Sequence, residues 1–268
     1  MAADVVIVGQ GYVGLPLAQE ATKAGLTVIG YDITQSLVDA LNSGVSHIDD
    51  LSDADIAEMI AGGYQATTDE ARIAEAKVAV ICVPTPLSDE GGPDLRAVEG
   101  ATGAIGRNLQ PGMTVILEST TYPGTTDEVV RPILEEASGL RAGKDFHLAF
   151  SPERIDPGNE KFGAKNTPKV VGGYTPESGD AAASFYEQFV DTVVRAKAPA
   201  RPRPPSCWRT PTGTSTSPWS TRWPASATTW ASTCGTSSTP RSPSPSASRP
   251  STPAPASAGT ASRSTPTT

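Results

Sequence analysis

Apolar positions in the first 197 residues fall into short continuous runs separated by stretches with helical spacing. Asp4–Val8, a β-branched run ending at Gly9, reads as a buried strand, and Leu26–Tyr31 reads as a second. Between them Val13, Leu17, Ala18 and Ala21 recur at helical spacing over Gly11 to Ala24, with Pro16 near the first turn and Gly25 as the stop. Further helices are predicted at Gln35–Asn42, Asp53–Ala61, Asp69–Ala76, Leu95–Asn108 and Thr126–Ala137, and near Pro176–Phe189. Strands are predicted at Lys77–Val83, Thr114–Glu118, Phe146–Phe150, Lys169–Gly172 and Thr192–Arg195. Strands alternating with helices imply an α/β fold built on a doubly wound parallel sheet.

The pattern stops after Lys197. From Ala198 to Thr268 there is no Val, Ile, Leu, Met, Phe, Tyr, Asp, Glu, Asn, Gln, His or Lys. All 29 acidic residues lie at or before Lys197, and the only charges after it are seven arginines. Such a Pro/Ser/Thr-rich segment has four tryptophans but no aliphatic partners to pack them against, so it is expected to be disordered. The predicted division is therefore a folded domain over residues 1–197 and a disordered tail over 198–268.

Charge and cysteines narrow the function classes. The acidic first 197 residues argue against nucleic acid as a partner. No stretch has the length needed to cross a bilayer, and the N-terminal apolar run leads straight into a glycine loop instead of a cleavage site. Cytoplasmic localisation is the expectation. Cys82, Cys207 and Cys234 show no metal or disulfide spacing, and Cys82 within VAVICVP reads as a buried structural thiol. No metal site is expected.

The chemistry is concentrated at the ends of predicted strands. GQGYVG, Gly9 to Gly14, is a G-x-G-x-x-G turn between a strand and a helix. Gly9 permits the tight turn, Gly11 lets the backbone approach a pyrophosphate, and Gly14 lets helix and strand pack closely. A pyrophosphate would meet free N–H groups at the helix N-terminus. Asp32, ending the second strand, stands where a carboxylate accepts hydrogen bonds from an adenosine ribose. It favours NAD by repelling the 2′-phosphate of NADP, although the same residue also reads as a cap on the following helix. VPTP and ESTTYPGTT each follow a strand and place Thr85 and Thr120 where their hydroxyls would meet the nicotinamide half of a dinucleotide. Either threonine also fits an ordinary cap or turn. SPERIDPGN puts Glu153 beside Arg154 after another strand, which on physics alone is equally a solvated ion pair.

Together GQGYVGLPLA, VIGYDI, ICVPTPL, LESTTYPGTT and LAFSPERIDPGN resemble the NAD-dependent nucleotide-sugar 6-dehydrogenases, which act on UDP-glucose, UDP-N-acetylglucosamine or UDP-N-acetylmannosamine. The resemblance runs in order through Lys197, and SPERIDPGN leans toward the N-acetylhexosamine branch. It implies a Rossmann-type domain, a UDP-sugar substrate, a homo-oligomer in the intact family, and oxidation of the sugar C6 alcohol to a carboxylate. It also implies that Tyr12, Val13, Asp32 and Thr85 contact NAD. By the same resemblance Thr120 lies near the reacting sugar and the nicotinamide, and Glu153 serves the substrate or its catalytic water. The family further uses a nucleophilic cysteine in a GGHCIPxDP-like motif and a KLLEN-like helix, and this sequence contains neither.

The tail accounts for that loss if it is translated one nucleotide out of frame. Each tail codon then joins the last two bases of a true codon to the first base of the next. Tryptophan has a single codon, so the true codons after Trp208, Trp219, Trp223 and Trp230 begin with G, and the reading gives Glu, Val, Ala and Gly there. With suitable codons SCWRTPTGTSTSPWSTRWP regroups as KLLENTYRHVNIALVNEMA, and ASAGTASRSTPTT as GVGGHCIPIDPNY. The expected frameshift begins after Lys197. Two other functions stay open on sequence: a non-catalytic NAD-binding remnant, and an interaction protein presenting its proline-rich tail.

Overall fold

The computed structural model describes residues 3–87, 92–153 and 166–196. The expected disordered tail, Cys207, Cys234, and Arg154 with the rest of its loop lie outside the described residues. Eight strands form one sheet in the order β3-β2-β1-β4-β5-β6-β7-β8. They are β1 Ala3–Val8, β2 Val28–Tyr31, β3 Tyr64–Thr67, β4 Ala76–Ile81, β5 Thr114–Leu117, β6 His147–Phe150, β7 Lys169–Gly173 and β8 Val193–Arg195. The helices are α1 Gly14–Lys23, α2 Gln35–Asn42, α3 Asp53–Ala61, α4 Arg96–Asn108, α5 Arg131–Ser138 and α6 Pro176–Tyr186.

The alternation of β1 builds two cores. Val5 and Ile7 face one side, packing with Leu17 of α1, Leu41 of α2, Ile56 of α3 and Tyr186 of α6. Val6 and Val8 face the other, with Ile105 of α4 and Leu134 of α5. A strand buried on both faces has no polar side to show, which is why DVVIV reads as a continuous apolar run. The strand order places the reversal of winding between β1 and β4, where ligand crevices form beyond the carboxyl ends of strands.

Four elements differ from expectation. The sheet is parallel from β3 through β6, but β7 pairs antiparallel with β6 because the chain enters it from the carboxyl end of that strand. β3 was unpredicted: four residues with a polar Gln65 carry little local signal, and the strand depends on pairing with β2. Its outer edge is partly closed by Asn42, whose side chain donates to Ala66 O (2.9 Å) and accepts from Ala66 N (3.0 Å). The helical stretch expected at Asp69–Ala76 is a 3-10 helix over Glu70–Glu75, short enough to join β3 to β4 directly. The helix predicted over Thr126–Ala137 opens with a π turn, Thr126–Val130, and becomes regular as α5. Pro132 lacks an N–H and its ring crowds the carbonyl four residues back, so the ladder widens just before it.

Candidate functional site: a dinucleotide turn and a buried acid–lysine cluster

The glycine turn has the geometry its sequence predicts. Gly9 has φ +94°, and a Cβ there would meet Cys82 O at 2.9 Å. A Cβ on Gly14 would collide with Gly9 O, so the helix sits directly on the turn only because position 14 has no side chain. Nothing lies within 4 Å of a Cβ on Gly11, leaving open space over the middle of the turn. The regular helix starts at Gly14, later than expected, although Gly11 O already accepts the Leu15 N–H at 3.0 Å. Tyr12 is half exposed and Val13 half-buried beside it.

Asp32 ties this turn to the second strand. Its Oδ2 accepts the Gln10 N–H (3.0 Å) and its Oδ1 accepts the Thr34 N–H (3.0 Å). The carboxylate therefore braces the turn and closes the chain after β2; it does not cap α2, whose N-cap is Thr34. Each oxygen keeps a further lone pair for a ribose hydroxyl. Next to it Ile33 is 85 % exposed, an apolar side chain left open to solvent.

The loops after β4 and β5 are stitched together. Thr85 Oγ1 donates to Thr120 O at 2.6 Å, and Ser119 Oγ donates to Val83 O at 2.7 Å. The structure thus brings Thr85 and Thr120 together, with the Thr120 side chain exposed. Beneath them lies a cluster that sequence inspection missed. Glu118, fully buried at the end of β5, pairs with Lys169 at the start of β7 and accepts the Tyr186 hydroxyl at 2.6 Å. Lys169 Nζ also lies 3.6 Å from Glu153 Oε2 and 5.3 Å from the Tyr186 ring centroid. Two carboxylates therefore share one ammonium out of reach of bulk water.

Burial pushes the Glu118 carboxyl up to about 7; Lys169 opposes the rise, whereas nearby Glu153 adds to it. Burial alone would lower the Lys169 ammonium, but the facing carboxylates outweigh it and hold the group above its ordinary value. Cys82 adjoins the cluster, and burial followed by the charge of Glu118 pushes its thiol far up, so it is no thiolate nucleophile. Among the described residues no group of His, Cys, Asp and Glu could hold a metal ion.

The signal for Glu118 was present in LESTTYPG as a charged residue closing an apolar strand. That for Lys169 was a charge opening the run KVVGG. What the sequence did not indicate is that the two meet across 51 residues.

The NAD binding domain profile of the UDP-glucose/GDP-mannose dehydrogenase family matches residues 3–190. The chain belongs to this family. Its cofactor is NAD, and the turn fits that group: a left-handed Gly9, a side-chain-free Gly14, open space over Gly11 and an available carboxylate at Asp32. Among similar proteins, the UDP-N-acetyl-D-glucosamine 6-dehydrogenase of Pseudomonas aeruginosa is 39% identical over 186 residues, 69% of this chain and 43% of that protein. The UDP-N-acetyl-D-mannosamine dehydrogenase of Pyrococcus horikoshii is 36% identical over 188 residues, covering 69% of this chain and 44% of its own length. The structure of the UDP-D-ManNAc dehydrogenase from Pyrococcus horikoshii superposes with a TM-score of 0.69 at 34% identity, over 73% of this chain and 47% of that one. The chain thus spans less than half the length of these relatives. No helix among the described residues is long and apolar enough to cross a membrane.

Proposed function

We propose that the gene specifies an NAD-dependent nucleotide-sugar 6-dehydrogenase acting on a UDP-N-acetylhexosamine, and that this chain retains the cofactor half without turnover. The observation that carries the reading is the family match over residues 3–190, followed after Lys197 by a tail whose alternative frame regroups into the family's helix and cysteine motifs. The named relatives' substrates favour an N-acetylhexosamine over glucose. Bound NAD supplies the hydride acceptor for both oxidations of C6.

The chain's own residues then have distinct tasks. The backbone at the N-terminus of α1, with Tyr12 and Val13 just before it, faces the pyrophosphate; Asp32 accepts the ribose hydroxyls, and Ile33 offers the adenine an apolar surface. Thr85 holds the Thr120 loop against the nicotinamide side. Thr120 presents its hydroxyl to the sugar, and Glu153 takes a proton from the substrate or orients its water. The second oxidation needs a carbonyl held on a placed thiol, and buried Cys82 cannot serve. Residues 1–197 act as the NAD domain, and 198–268 as an out-of-frame tail. The intact enzyme is expected to work in the cytoplasm as a homo-oligomer.

The frame is tested at the DNA. Restoring one nucleotide after the Lys197 codon should extend the reading frame through a KLLEN helix and a GGHC motif. The product should form NADH with UDP-N-acetylglucosamine or UDP-N-acetylmannosamine. A restored gene without those motifs would refute the frameshift.

A further inference from the structure

Gln10, the residue between the first two glycines of the turn, is fully buried although it is polar. Its Nε2 donates to Ile7 O at 2.7 Å and Gly9 O at 3.3 Å, so its Oε1 must face the remaining partner. That partner is the Tyr64 hydroxyl, which donates to Oε1 at 2.8 Å from the start of the edge strand β3. The bond passes over Gly30 of β2, where a Cβ would stand 2.5 Å from Tyr64 Oη and 2.6 Å from Gln10 Oε1. Glycine at position 30 keeps the passage open. The Gln10 backbone N–H meanwhile donates to Asp32 Oδ2, so one residue is held from both ends. Burial pushes the Tyr64 phenol far above its ordinary value, so it remains a hydrogen-bond donor throughout the working pH range.

We propose that the Gln10–Tyr64 hydrogen bond is a bolt that sets the dinucleotide turn against the edge of the sheet, making Tyr64 a positioning residue for NAD. The inference rests on the NAD assignment. Tyr64 is buried at the edge of the sheet and acts through Gln10. Removing its hydroxyl leaves Gln10 Oε1 buried without a donor, so the side chain shifts to find one. The Gln10 N–H moves with it, and Asp32 loses one of the two anchors that orient its carboxylate toward a ribose. Backbone donors at the turn then no longer match the spacing of a pyrophosphate. A role confined to stability would lower the melting temperature and leave NAD affinity unchanged.

The test is calorimetric titration of NAD into the full chain, with a thermal melt of each protein. Tyr64→Phe should weaken NAD binding about fivefold, the equivalent of one ordinary buried hydrogen bond. The double variant Gln10→Leu with Tyr64→Phe removes the donors to Ile7 O and Gly9 O as well, so it should melt below the parent and bind NAD no more tightly than the single variant. Parental affinity in Tyr64→Phe, or recovery of affinity in the double variant, overturns the bolt alone. Failure of the parent chain to bind NAD overturns the cofactor assignment and the bolt with it.

Discussion

The two ends of the ligand crevice are built on opposite principles. At the β1–β2 end the glycine turn is shaped by backbone geometry: a left-handed Gly9, a missing Cβ at Gly14, and a carboxylate whose two oxygens accept backbone N–H groups. At the β5–β7 end, Glu118, Lys169 and Glu153 bury three ionisable groups with Tyr186 beside them. The first end is organised by shape and costs little to maintain. The second is organised by charge in a low-dielectric site, where each group depends on its partners.

Removing the cation is the sharpest way to break the contrast. Lys169→Met leaves two carboxylates facing each other without compensation and should cost about 3–5 kcal/mol in urea unfolding. Replacing the pair together, Glu118→Leu with Lys169→Met, should recover only part of that loss, because Glu153 still loses its ammonium and Tyr186 its acceptor. A Lys169→Met variant as stable as the parent would show that the cluster carries no buried charge.

Acidity probes the same end more gently. Burial pushes the Glu118 carboxyl from its ordinary 4.5 up to about 7 on folding, so the folded state holds the extra proton between those values. Its stabilising contribution is complete below about pH 4.5 and fades as pH rises through about 7. The stability of Glu118→Gln should therefore depend less on pH across that window than the parent's. Parallel curves would place the proton elsewhere.

At the other end, Asp32→Ala should weaken NAD binding about tenfold by removing a charged acceptor for the ribose, while narrowing the preference for NAD over NADP. Unchanged affinity would remove Asp32 from the cofactor site. The smallest effect on the cofactor is expected at the sheet edge. Asn42→Ala loses two hydrogen bonds to Ala66 and should cost about 1–2 kcal/mol in unfolding, with NAD affinity intact because the residue touches neither the turn nor Asp32.

The same contrast explains what could be seen in the sequence. Gly9, Gly11, Gly14 and Asp32 act through local geometry over a single strand–turn–helix–strand unit, so their spacing reveals them. α2 and α3 were equally plain, since Gln35–Asn42 and Asp53–Ala61 fold with the bounds their periodicity predicts. Lys169 meets Glu118, and Tyr64 meets Gln10, only after the sheet order has formed, across separations of 51 and 54 residues. β3 and the reversal at β7 were hidden for the same reason, because pairing partners decide both. Thr85 and Thr120 lay between these cases: their motifs marked them, and the bond joining their loops needed the fold.

Turnover distinguishes most directly a chain that only holds NAD from a complete nucleotide-sugar dehydrogenase. The purified 268-residue chain, supplied with NAD and each of UDP-N-acetylglucosamine, UDP-N-acetylmannosamine and UDP-glucose, should form no NADH above the rate without sugar. Sustained NADH formation with any of the three would contradict the account.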